Sequence, residues 1–192
     1  MVLERAGPFP DYDRLMIELC TNEDSKLGQV TSASQGCFVL RITVWHDLTT
    51  SRGVKYALDG IQVWCRHRWR LKLEIFIIVW ISIPCTGGSP WNRLNRLRGK
   101  ETRDRIMAHV TLFEKLFDAS KIIAQQVSGV GGVIALEWPT GCDYWKFQAV
   151  QEFLLEHKLS SMKFDGCEFG LVSLHGGNKG VPIKKPWRFD SD

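Results

Sequence analysis

Between Ile75 and Ile83 the chain reads IFIIVWISI, with Ser82 as its one polar side chain, and then breaks at Pro84-Cys85-Thr86-Gly87-Gly88-Ser89-Pro90. A run of that length, rich in β-branched and aromatic residues, predicts a strand buried on both faces, as in the middle of a parallel sheet. Pro84 cannot donate to a ladder, and the two glycines permit backbone angles that other residues avoid. Ligands of open α/β sheets bind just outside the carboxyl ends of the strands. The loop therefore falls where chemistry is expected, and it carries a thiol, two hydroxyls and free backbone N–H groups. The same residues also read as a tight turn around a small buried side chain, since free cysteine is among the most buried residue types.

The remaining segments alternate in the same manner. Leu15–Cys20 reads as a short buried strand with Glu18 near its end, followed by a polar loop from Thr21 to Gly28. A first strand, an acidic residue and a small-polar loop is how nucleoside-binding Rossmann-like domains begin, although no GxG is present here. Asp24 or Ser25 would equally serve as a helix N-cap. Cys37–Val44 predicts a second strand that ends in Trp45-His46-Asp47. A carboxylate at that place accepts ribose hydroxyls in such folds, and Asp47 reads also as a cap for the next helix.

Gly53–Trp64 has helical spacing, and Cys65–Leu73 then interleaves Arg66, His67, Arg68, Arg70 and Lys72 with Trp69. Basic runs are usually solvated faces, and they also suit nucleic acid. Asn92–Arg105 is basic and polar, and reads either as a segment that orders over a substrate or as a mobile surface loop. Arg103–Val127 predicts one long amphipathic helix carrying Ile106, Val110, Phe113, Leu116, Phe117, Ile122 and Ile123 on its apolar face. Val133–Leu136 predicts a buried strand ending in Glu137-Trp138-Pro139. A helix over Gln148–Lys158, a strand over Ser161–Asp165 and a closing strand over Val181–Phe189 complete the reading.

At 192 residues the chain is long enough for a single well-buried core, with residues 1–13 as a poorly ordered lead-in. The hydrophobic share of 44% and net charge of +4 are those of an ordinary globular protein, which allow an anionic partner without requiring one. The six cysteines include no CxxC pair, so neither a zinc site nor a disulfide framework is expected. Reduced thiols, a charged and proline-broken N-terminus and no span long enough for a bilayer lead us to expect an intracellular protein, without membrane association.

Strands alternating with helices predict an α/β fold, a Rossmann-like doubly wound, mostly parallel sheet flanked by helices. With Pro84-Cys85 after one buried strand and Glu137-Trp138-Pro139 at the end of the next, the chain resembles the methyltransferases that use S-adenosylmethionine. Within them it is most similar to the cytosine-5 DNA methyltransferases. The resemblance implies that Cys85 is the nucleophile that attacks the pyrimidine and that Glu137 contacts the base. It also implies a cofactor site over Glu18, Ser25, Gly28, Asp47 and Pro84, with Ser89, Arg93, Arg96 and Trp138 toward a nucleic-acid substrate. Gly170–Lys185 is similar to the family's late motif, which ends in a basic cluster. The Pro-Cys-Thr loop also resembles methyltransferase-like domains of viral and retroelement-type proteins.

The departures are specific. The first loop lacks the family's glycines, Trp138-Pro139 stands where Asn-Val is usual, no Gln-x-Arg-x-Arg is present, and no separate target-recognition domain fits. Two other readings follow from them. One is a non-catalytic module for nucleic acid or protein on a degenerate methyltransferase fold. The other is a thiol enzyme that uses Cys85 without a methyl donor, which would need a histidine partner that the sequence does not point to.

Overall fold

The structure, a computed structural model, describes residues 12–27 and 36–192. The expected lead-in therefore lies outside the described residues except for Tyr12 and Asp13, and so does Gly28. The fold is α/β, with a six-stranded mixed sheet flanked by helices. The strands are β1 (Arg14–Leu19), β2 (Cys37–Ile42), β3 (Phe76–Ile81), β4 (Val133–Pro139), β5 (Ser160–Asp165) and β6 (Pro186–Ser191). Their order across the sheet is β2-β1-β3-β4-β6-β5. Among the described residues the helices include α1 (Ser51–Arg70), the single turn α2 (Asn92–Asn95), α3 (Lys100–Ser128) and α4 (Gln148–Glu156).

Two compact units make up the chain. The first takes the described residues up to Pro84 together with Val110–Ala135. In it, β1 pairs in parallel with β2 on one side and β3 on the other, with Leu19 opposite both Ile42 and Ile81. Every residue of β1 from Leu15 to Leu19 is buried, which is what a strand covered on both faces requires. Ala57, Ile61 and Trp64 of α1 are fully buried, as are Ile123, Ala124 and Val127 of α3. Ile122, expected on the apolar face of α3, is 51% exposed instead.

The helix boundaries have local causes. Thr50 is the N-cap of α1, its side chain accepting from the Gly53 N–H at 3.2 Å. The helical spacing noted over Gly53–Trp64 extends through most of the basic run, to Arg70. The helix ends on a Schellman turn, in which the Leu73 N–H reaches the Arg68 carbonyl at 3.0 Å and Lys72 takes φ 53°. Arg68 is the structural member of the run. It is 8% exposed, donates from Nε to the Glu74 carbonyl at 2.8 Å and lies over the Trp64 ring.

The second unit takes Cys85–His109 and Leu136–Asp192. Its core gathers Trp138, Tyr144, Trp145, Val150 and Phe153. The expected strand over Val133–Leu136 runs on to Pro139, so Glu137 and Trp138 lie inside β4 rather than in a loop. The closing strand forms at Pro186–Ser191, later than the expected Val181–Phe189, and runs antiparallel to β5. That pairing is why the sheet is mixed.

Candidate functional site

In the first unit, parallel pairing in register brings the carboxyl ends of β1, β2 and β3 level. The chain passes from β1 to β2 on one side and then returns, through α1, to β3 on the other. A sheet whose winding reverses in this way leaves a crevice outside the strand ends at the reversal. A cleft of about 260 Å³ opens there. Cys20, Thr21 and Asn22 line it after β1, Thr43, Val44 and Asp47 after β2, and Pro84 after β3. Leu112 and Leu116 of α3 give it an apolar wall.

Asp47 and Pro84, two of the expected cofactor residues, are thus brought together. Asp47 is exposed and has φ 42°, a left-handed conformation that aspartate tolerates better than most residues. Its Oδ1 accepts from the Thr49 N–H at 3.2 Å and from the Thr49 hydroxyl at 2.6 Å, which leaves Oδ2 for another donor.

Glu18 and Ser25, two more of the expected cofactor residues, hydrogen-bond to each other. Glu18 is 3% exposed, within β1 and apart from the cleft walls. Its carboxylate accepts from the Ser25 hydroxyl at 2.7 Å and from Arg41 Nε at 3.2 Å. A buried carboxylate needs such partners. Cys20 follows β1 with φ 60°, an angle that glycine adopts without strain. Burial pushes its thiol up to about 12, and burial rather than the neighbouring carboxylates is the cause.

In the second unit, Cys85 opens a turn closed by the Gly88 N–H on its carbonyl at 3.0 Å. Asn92 Nδ2 clamps the loop by donating to the carbonyls of Thr86 and Gly87 at 2.8 and 2.9 Å. Gly88 lies against the segment Cys142–Tyr144, and its carbonyl accepts from the Asp143 N–H at 2.7 Å. A Cβ at this position would come within 2.7 Å of Cys142 Sγ and 2.8 Å of the Tyr144 ring. Only glycine fits so close an approach.

Cys85 is half-buried, whereas Cys142 is buried, and burial pushes the Cys142 thiol up to about 12. Ser89 is half-buried in the same turn, its carbonyl accepting from the Asn92 N–H. Arg93 pairs with Asp143 at 2.6 Å, and Arg96 is exposed, its carbonyl facing Arg103 Nη1 at 3.5 Å. Glu137 is half-buried. Trp138 is 2% exposed and packs edge-on against Tyr144 and Trp145, an aromatic arrangement of core type.

Sequence reasoning placed Cys142 near Glu137, as a contributor to the same pocket as Cys85, but it missed Leu112 and the contacts of Asp143 and Tyr144 with Gly88. Helical spacing marked Leu116 as inward-facing, but nothing in the sequence assigned it to a cleft. Among the described residues no group of histidine, cysteine or carboxylate side chains could hold a metal ion. Among them, too, no helix is long and apolar enough to cross a membrane. Comparison with protein-family models, with curated proteins and with solved structures finds no match for the chain.

Proposed function

We propose that this chain is a Rossmann-like, doubly wound methyltransferase-like protein that binds S-adenosylmethionine and methylates cytosine in nucleic acid through Cys85. The observation that carries the reading is the cleft at the carboxyl ends of β1, β2 and β3, with Asp47 on its wall. Its volume lies just below the roughly 300–1,000 Å³ of pockets that hold drug-sized ligands. The nucleoside part of the cofactor fits a space of this size, with a carboxylate for the ribose hydroxyls and leucines beside the base. When bound, the cofactor supplies the methyl group. Cys85 would add to the pyrimidine ring as a thiolate, opening a ring C=C bond whose other carbon takes the methyl group. Loss of the proton on that carbon to water, with expulsion of the thiolate, would restore the ring, while Glu137 would hydrogen-bond the base to favour the addition.

One observation favours a second reading, a non-catalytic module on the same fold. Glu18, the acidic residue of the first strand, is already satisfied by Ser25 and Arg41, and the loop after it carries a strained Cys20 in place of glycine. Calorimetric titration with S-adenosylmethionine and its demethylated product separates the two. Binding, together with methyl transfer to a cytosine-containing oligonucleotide, supports the enzyme. No heat at millimolar ligand leaves the module.

A further inference from the structure

The last turn of α1 and the residues after it present a surface that the cleft does not use. Trp69 is 76% exposed, and Phe76, which begins β3, is 53% exposed. Arg66, Arg70 and Lys72, close to them in sequence, are exposed and have no ion-pair partner among the described residues. Arg66, Trp69 and Arg70 stand at i, i+3 and i+4, which puts them on one helix face. Glu74 is the one carboxylate between Cys65 and Phe76.

The position is as informative as the composition. Because β2 and β3 are both parallel to β1, α1 must carry the chain from the carboxyl ends back to the amino ends of the strands. Its basic end is therefore separated from the cleft by a strand length, about 20 Å for six residues. Cations near a helix C-terminus offset the dipole, but that does not account for an exposed indole on the same helix face as two exposed arginines. An exposed aromatic ring among cations is the composition that binds single-stranded nucleic acid, with a base on the ring and phosphates on the cations. An in-plane membrane anchor would need an apolar stripe along the helix. Here the exposed Arg52, Lys55 and Gln62 of α1 are polar, and the apolar groups occur at its end alone.

We infer that the carboxyl-terminal end of α1, through Arg66, Trp69, Arg70 and Lys72, is a binding surface for single-stranded nucleic acid, separate from the cleft. The inference does not rest on the methyltransferase reading, because binding is measured without cofactor or turnover. The experiment is fluorescence anisotropy of a labelled oligodeoxythymidylate against the full chain across a salt series.

Trp69→Ala should weaken binding about tenfold, and Trp69→Phe, which keeps a ring, should restore most of it. The double variant Arg66→Gln/Arg70→Gln should lower the salt slope by about 1.4, two single-strand phosphate contacts. All three variants should melt like the parent, since the side chains are exposed. Absence of binding by the parent chain, or equal binding by every variant, overturns the inference. So does Trp69-dependent binding to phosphatidylserine vesicles with oligonucleotide affinity unchanged, which would identify a membrane surface instead.

Discussion

Arg93 and Asp143, fifty positions apart, form an ion pair of 2.6 Å, and Lys146 reaches the same carboxylate oxygen at 2.8 Å. The Asp143 N–H in turn donates to the Gly88 carbonyl at 2.7 Å. The segment after β4 is thereby fastened to the loop that carries Cys85.

The ion pair gives a pH prediction. Hydrogen bonds from Arg93 and then Lys146 hold the Asp143 carboxyl below its ordinary value of 3.8. A carboxyl depressed in the folded state contributes stability above its unfolded value, and that contribution is lost as pH falls through the folded one. Asp143→Asn should therefore lower the melting temperature slightly at neutral pH, with the gap to the parent closing below pH 3.8. The side chain is 28% exposed and its partners are largely in solvent, so the effect is small. Melts between pH 2.5 and 7 check it, and a constant gap would remove the ion pair from the account.

Gly88→Ala tests the close approach. The new methyl would meet Cys142 Sγ and the Tyr144 ring, both in buried side chains with little room to move. Overpacking of this kind costs roughly 1–3 kcal/mol. The expected result is a lower melting temperature and altered accessibility of Cys85 to alkylation. A variant as stable as the parent would mean the loop sits further from Cys142 than described.

How much of this was legible beforehand follows from where the information lies. The strand Ile75–Ile83 was visible because burial on both faces writes an apolar run into adjacent residues, and β3 forms at Phe76–Ile81 within it. Asp47 was visible as a carboxylate just past a strand. The contacts of Gly88 with Cys142 and Tyr144 were not, since no local pattern records a partner more than fifty residues away. Nor was the antiparallel sense of β6, because its sequence is that of a strand in either direction. The run Cys65–Leu73 was set apart for its charge, although Arg68, buried against Trp64, shows that helical periodicity persists through it.

Two lysines offer stabilisation. Lys72 and Lys158 have φ 53° and 54°, each at the left-handed position of a Schellman turn, after α1 and α4 respectively. An L-residue there is strained by roughly 1 kcal/mol relative to glycine, partly offset by the added freedom of glycine in the unfolded chain. Lys158→Gly should raise the melting temperature, measured calorimetrically. Lys72→Gly should do the same while weakening oligonucleotide binding, because it removes one cation from the basic surface.

Thiol chemistry orders the cysteines. With thiols pushed up to about 12, Cys20 and Cys142 hold roughly one thiolate in ten thousand at pH 8. Iodoacetamide footprinting read by mass spectrometry should find these two among the last sites modified. Early labelling of Cys142 would mean that its pocket opens to solvent.

The methyltransferase reading is tested by separating binding from chemistry. Asp47→Asn keeps an oxygen for the Thr49 hydrogen bonds but removes the charge offered to a ribose. It should weaken S-adenosylmethionine binding by roughly 1–3 kcal/mol, the cost of a lost hydrogen bond to a charged group, with little change in melting temperature. Cys85→Ser should leave that affinity intact and abolish methyl transfer, because a hydroxyl at neutral pH is a far weaker nucleophile than a thiolate. If Cys85 serves packing alone, the same substitution should lower stability and leave any turnover unchanged. Calorimetry, melting and methyl-transfer assays on the two variants give a different pattern for each case. Full activity in the serine variant would eliminate the covalent mechanism while leaving the cleft as a cofactor site.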